Sequence, residues 1–177
     1  MQSSNGQSSK DLIPKDLDSL VSCIDNLDSL DQWDDTKKTR IEGLRIEGSE
    51  VKYHIEDETL KKIVVYDYGE TGKKITVYYL VLEKPFLIHE LIFTYNRPIY
   101  WDEELMNENG DNETFNINKT KKREVKSYFA GEHLIHQEFS PERSFNLNDD
   151  DMKAEQERLL GEYKFLIENK DEFEYSK

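Results

Sequence analysis

Four histidines and a surplus of carboxylates are the first residues in this chain that could do chemistry. A transition-metal site needs two or three imidazole or carboxylate donors converging on one point. His133 and His136 stand three apart in a segment that alternates like a strand. Their side chains therefore leave opposite faces and cannot pinch one ion. His89 and His136 both follow Leu-Ile, and in stacked hairpins they would share a face. His89, however, lies between Leu87 and Leu91, where a hydrogen-bonded core histidine is the simpler reading. Calcium is suggested by "NLNDDDMKAEQE", in which Asn146, Asn148, Asp150 and Glu157 match the first, third, fifth and twelfth EF-hand positions. The sixth position is Asp151, where the sharp turn of that loop wants glycine, and a capped helix start accounts for the same residues. No metal and no cofactor are expected.

Nucleophile chemistry finds no better footing. The chain has no Gly-x-Ser-x-Gly elbow. Its single cysteine, Cys23, has no neighbouring cation pattern to lower its pKa, so it reads as a small buried hydrophobe. One cysteine also excludes a disulfide framework and a CxxC motif. Glu90, Glu103 and Glu138 could form a carboxylate pair, but any chain with 38 acids offers such pairs. "GETG" lacks the Lys-Ser/Thr ending and following helix of a phosphate loop. "NET" and "NKT", at Asn112 and Asn118, match a glycosylation acceptor and mark a polar surface loop. No catalytic residues are expected, and the chain is read as a non-enzyme.

One stretch stands out. In "FTYNRPIYWDEELMNENGDNETF" a strand-like pattern stops at Tyr95, and Tyr95, Arg97, Tyr100 and Trp101 crowd together before an acidic, Asn-rich run. Aromatic rings beside an arginine can stack on a sugar, a peptide or a planar ligand. These four are the candidate ligand-binding residues. The same residues can also turn a corner, because Pro98 forces its neighbours into extended or turn geometry. A corner would leave Tyr95 and Tyr100 partly buried and start a short helix at Trp101.

The elements that must position these residues follow from periodicity. Leu17, Leu20, Val21, Ile24 and Leu27 form one stripe of an amphipathic helix, with Pro14 suited to its first turn. From Arg40 the period becomes two, and short strands alternate with the turns "EDET", "GETGK" and "EKP". In "GETGK" the glycines would permit positive φ. "FLIHELIFTY" is apolar on both faces, so it should be a central strand. "REVKSYFA" and "HLIHQEF" are joined by a "GE" turn, and a closing helix carries Met152, Leu159, Leu160, Tyr163, Leu166 and Ile167. Short connections imply antiparallel neighbours. "YHIEDETLKKI", "YYLVLEKPFLIHE" and "YFAGEHLIHQE" repeat one pattern and read as three related hairpins.

The expected fold is α+β: an antiparallel β-meander of about six or seven strands, with N- and C-terminal helices packed on one face. A hydrophobic content of 36% against 35% charged residues suggests such a thin, one-sided core. Residues 1–10, polar and rich in Ser, Gln and Asn, are expected to be a disordered tether. Residues 11–177 are expected to form a single α+β domain. With 24 basic and 38 acidic residues the formal charge is −14, which repels the phosphate backbone of nucleic acids and anionic membrane surfaces. No run approaches the ~18 apolar residues of a membrane helix.

Hairpins of the form Tyr-Phe-x-Gly-x-x-Leu-Ile, here Tyr128 to Ile135, together with Tyr95-Asn96-Arg97-Pro98, resemble uncharacterised exported lipoproteins of Bacteroides-type bacteria. The resemblance covers roughly residues 40–140 and carries no catalytic residues. "EDET" and "LEKP" stand where such hairpins usually have an Asp-Gly turn. It implies an envelope protein, periplasmic or tethered to the outer membrane by a lipid upstream of residue 2, with a cytoplasmic location as the alternative. The expected function is a non-enzymatic binding or interaction module of the bacterial cell envelope, for an unknown protein, peptide or glycan. The alternative is an acidic inhibitor or immunity-type protein that neutralises a basic partner.

Overall fold

Alternation of apolar residues produces one sheet. The computed structural model describes residues 17–29, 33, 35–41, 49–142 and 148–170. The proposed tether and the Pro14–Asp16 start of the first helix lie outside them, as does Asn146. Seven strands form a single antiparallel sheet in sequence order: β1 (Asp35–Ile41), β2 (Ser49–Glu56), β3 (Thr59–Gly69), β4 (Gly72–Val81), β5 (Lys84–Thr94), β6 (Lys121–Ala130) and β7 (His133–Ser140). Helix α1 (Leu17–Ser29) precedes the sheet, and α3 (Asp149–Glu168) follows it; α2 (Glu103–Glu108) lies between β5 and β6. The α+β meander is as expected, and the polar segment Asp35–Ile41 supplies its first strand.

The two long helices do not share a face. Leu159, Leu160, Tyr163 and Leu166 of α3 pack against Val51, Tyr53, Ile63, Val65, Tyr78 and Ile88. Leu27 of α1, with Cys23 and Ile24, packs against Val64, Val77, Tyr79, Phe86 and Leu87. Neighbouring residues such as Val64 and Val65, or Leu87 and Ile88, thus point into different cores. The central strands are apolar on both sides, so each side needs a cover, and a one-sided core would have left Val64, Val77 and Leu87 wet. Burial pushes the Cys23 thiol upward, as suits a small packed hydrophobe rather than a nucleophile.

Each helix is fastened by polar contacts as well. The Tyr53 hydroxyl donates to the Leu166 carbonyl (2.9 Å), the Tyr163 hydroxyl to the Glu83 carbonyl, and the Leu134 N–H to Gln156 Oε1 (2.9 Å). Helix α3 therefore crosses the sheet from β7 to β2. Asn148 caps its start by accepting from the Asp151 N–H (2.9 Å), with Asp149, Asp150 and Asp151 in the first turn. On the other face Asp28 receives Lys62 Nζ (2.5 Å) and the Tyr79 hydroxyl (3.0 Å).

The threefold hairpin pattern is real and has a structural signature. Each of the hairpins β2–β3, β4–β5 and β6–β7 contains a register shift, at His54/Ile55, Tyr79/Leu80 and Tyr128/Phe129. Each shift stands at the same offset before its turn, which begins at Asp57, Leu82 or Gly131. The first two turns are 25 residues apart and the second pair 49 apart, an excess of 24. The excess equals the difference between the 26 residues 95–120, joining β5 to β6, and the two residues Glu70 and Thr71, joining β3 to β4. Residues 95–120 are an insertion in an otherwise regular repeat.

Two of the three turns use unfavourable residues. Asp57 and Glu58 (φ 49° and 57°), and Leu82 and Glu83 (φ 52° and 57°), hold the left-handed conformation that favours Gly or Asn. Only the third turn supplies a glycine, Gly131. Replacing Leu82-Glu83 by Asn-Gly should raise stability by about 1–2 kcal/mol in urea unfolding. The Tyr163 bond uses the backbone carbonyl and survives the change, so a loss of stability would mean that the turn side chains hold something else. The glycines of "GETGK" serve another purpose than the one expected: neither has positive φ, and a Cβ on Gly72 would collide with the Phe93 carbonyl.

Candidate functional site

The insertion 95–120 is built from its own polar residues. Its backbone is anchored to the β3–β4 turn, with the Tyr95 N–H donating to the Thr71 carbonyl and the Ile99 N–H to the Glu70 carbonyl, both 2.9 Å. Asp102 caps α2 by accepting from the Leu105 N–H (3.0 Å), and Gly110, at φ 64°, lets the chain reverse after it. The returning chain is then clasped. Arg97 donates through Nε and Nη2 to both Asp111 oxygens (2.5 and 2.7 Å), a bidentate geometry that fixes orientation as well as distance. Asn96 donates to the Thr114 carbonyl (2.9 Å) and to Glu113, and accepts from the Asn116 N–H (2.9 Å). Tyr95 and Phe115 meet edge to face at 5.5 Å.

This clasp is electrostatic. The Arg97 guanidinium, then the Asn112 N–H, holds the Asp111 carboxyl well below the usual carboxylate range, and the Asn96 side chain lowers Glu113. Carboxyls lowered by folding contribute stability that is fully present above their unfolded pKa of ~4 and lost as pH falls through the depressed values. Arg97→Ala should therefore speed amide exchange across residues 96–116 at neutral pH while leaving β2–β5 protected. Unchanged exchange in that segment would show that the clasp does not organise it.

The four candidate residues take different roles. Tyr95 is half-buried against Phe115, and Arg97 is committed to Asp111. Trp101 is half-buried and stands one residue before the Asp102 cap, so α2 starts later than expected. Tyr100, expected to be partly buried in a corner, is 51% exposed. Its phenol lies beside Glu70, whose charge raises its pKa. The structure adds Ile99 (55% exposed) and Ile117 (59%), which sequence reading passed over because isolated isoleucines look like core. No residue of the insertion is fully buried, so it adds nothing to either core cluster. Asp102, Glu103, Glu104 and Glu108 are exposed around it, with Glu70 on the adjoining turn. Three apolar side chains are thus exposed on an internally bonded segment that also carries exposed carboxylates.

The other sequence candidates are not assembled into a site. Glu90, Glu103 and Glu138 lie apart, beneath α3, in α2 and on β7. Among the described residues no group of three or more His, Cys, Asp or Glu could hold a metal ion. His89 and His136 do share a face, yet His89 bonds Glu124 (2.7 Å) while His136 stacks on Tyr128. Burial pulls the His89 pKa down against the opposing pull of Glu124. A histidine lowered by folding stabilises fully above its unfolded pKa of ~6.5 and loses that contribution as pH falls. Urea unfolding at pH 7.5, 6.5 and 5.5 should show stability falling with pH, and His89→Gln should flatten that slope. An unchanged slope would assign the acid sensitivity elsewhere.

Beneath α3 lies an ionic cluster between residues far apart in sequence. The Glu90 carboxylate, with only 4% of its side chain exposed, receives Arg158 Nη2 (2.8 Å), Arg158 Nη1 (3.1 Å) and Lys74 Nζ (3.2 Å). Glu155 and Glu162 complete the Arg158 shell at 2.7 and 3.2 Å. These contacts hold Arg158 firmly charged, with the Glu155 hydrogen bond the largest cause. No family model matches the chain, and neither a curated protein nor a solved structure is similar to it.

Proposed function

We propose that the protein is a non-enzymatic binding module of the bacterial cell envelope, and that the insertion 95–120 is its contact surface for a protein partner. One observation carries this reading: a repeat of three equivalent hairpins is broken once, by an ordered 26-residue connection that packs into neither core. Hairpin loops usually run about 2–5 residues, so this connection is far longer than joining β5 to β6 requires. It is held by its own bonds, so disorder does not explain it. Exposed Ile99, Tyr100 and Ile117 supply apolar anchors on an internally bonded frame, which limits the entropy lost on binding. The surrounding carboxylates favour a partner surface with basic residues, and they steer its approach.

The envelope location rests on the lipoprotein resemblance alone. No helix among the described residues is long and apolar enough to cross a membrane. A net charge of −14 also supports the second reading, an inhibitor or immunity-type protein that covers a basic partner. Both readings use the same surface and differ in what the partner does.

The test is position-resolved photo-crosslinking in an envelope fraction. A crosslinker at position 100 should trap a partner that one at Phe165, on the outer side of α3, does not. Purified, that partner should bind more weakly as salt rises and lose at least tenfold in affinity with Ile99→Ser. Equal trapping at both positions, or binding indifferent to Ile99→Ser, would reject this surface.

A further inference from the structure

A half-open cavity of ≈ 90 Å³ lies between α3 and the sheet, beside the ionic cluster. It has room for a few waters or for one small molecule. Asp67, Lys74, Thr76, Tyr78 and Glu162 supply its polar lining. Thr76 is 1% exposed, and its hydroxyl is buried without a hydrogen-bond partner. A buried hydroxyl left unpaired is costly, so this one is suited to an occupant.

The charges around it limit what that occupant can be. Lys74 Nζ stands on the wall between Glu90 (3.2 Å) and Glu162 (3.6 Å), and it repels a simple cation. Glu162 on the same wall repels a simple anion. Val65 and Leu166 add apolar lining. A molecule with an ammonium and a carboxylate a few ångströms apart meets both signs at once.

We propose that this cavity binds a small zwitterion, an α-amino acid the size of glycine. Its carboxylate faces Lys74 and the Thr76 hydroxyl, and its ammonium faces Glu162. The probe is glycine, added to the full chain in thermal unfolding and in titration calorimetry. Glycine should raise the melting temperature in a saturable way, while methylammonium or acetate at equal concentration should not. Thr76→Val keeps the shape and removes the unpartnered hydroxyl, so the ligand-free variant should melt no lower than the wild type and bind glycine at least tenfold more weakly. Glu162→Gln, at the outer wall, should weaken glycine binding similarly, and it serves as the test if Thr76→Val fails to fold. The proposal is overturned if glycine gives no shift, if acetate or methylammonium gives an equal one, or if both folded variants keep wild-type affinity.

Discussion

Leu159→Ala should destabilise the protein by about 2–5 kcal/mol, whereas Phe165→Ala on the same helix should cost less than ~0.5 kcal/mol. Leu159 is fully enclosed (0% exposed) at the centre of α3, in the cluster that contains Tyr53, Ile63, Tyr78 and Ile88. Truncation there removes buried methyl groups and leaves a void. The void is closed poorly because the helix is pinned at both ends, by Gln156 to Leu134 and by the Tyr53 hydroxyl to the Leu166 carbonyl. Phe165, by contrast, is 39% exposed and faces away from the sheet. Equal effects of the two substitutions in urea unfolding would mean that α3 is not docked as described. On the opposite sheet face, Leu27 of α1 plays the corresponding part.

Arg158→Met should cost about 3 kcal/mol, the lower end of what breaking a buried ion pair costs. Coulomb attraction lost is only part of that. The larger part is the Glu90 carboxylate, which stays buried with Lys74 as its remaining cation. The partly exposed outer side of Arg158 and the surviving Lys74 contact keep the loss from being greater. The two side chains together should matter less than either alone: Glu90→Leu combined with Arg158→Met removes both charges and should recover at least half of the loss. A double-mutant cycle in urea unfolding checks this, and strictly additive losses would contradict a direct pair.

Much of the fold was legible because alternation is a local signal. Val51, Tyr53 and Ile55 mark β2 as clearly as Ile75, Val77 and Tyr79 mark β4, and Asn148 with its three aspartates marks the start of α3. β1 was less legible. "DTKKTRI" has one apolar residue, and it pairs at the sheet edge through backbone bonds that carry no hydrophobic pattern. The placement of the helices was misread because one face was inferred from overall polarity. The adjacent pairs Val64-Val65 and Leu87-Ile88 contained the contrary information.

The site was half legible for a related reason. The stretch from Tyr95 broke the strand pattern visibly, but its four aromatic and basic residues proved unequal. Arg97 is spent on Asp111, fourteen residues away, and no short-range rule announces that pairing. The outward turn of Ile99 and Ile117 depends on how the insertion closes on itself. Arg158 and Glu90 are separated by 68 residues and meet only because α3 recrosses the sheet.

Excision of the insertion tests the central claim most directly. Residues 95–120 are replaced by Asn-Gly, which restores the two-residue connection that Glu70-Thr71 makes between β3 and β4. If this segment is a contact surface carried on a self-sufficient repeat of hairpins, the shortened chain will keep its far-ultraviolet circular dichroism and a single cooperative unfolding transition. It will also lose binding to the partner trapped through position 100. A shortened chain that no longer folds, or one that folds and still binds that partner, would contradict it.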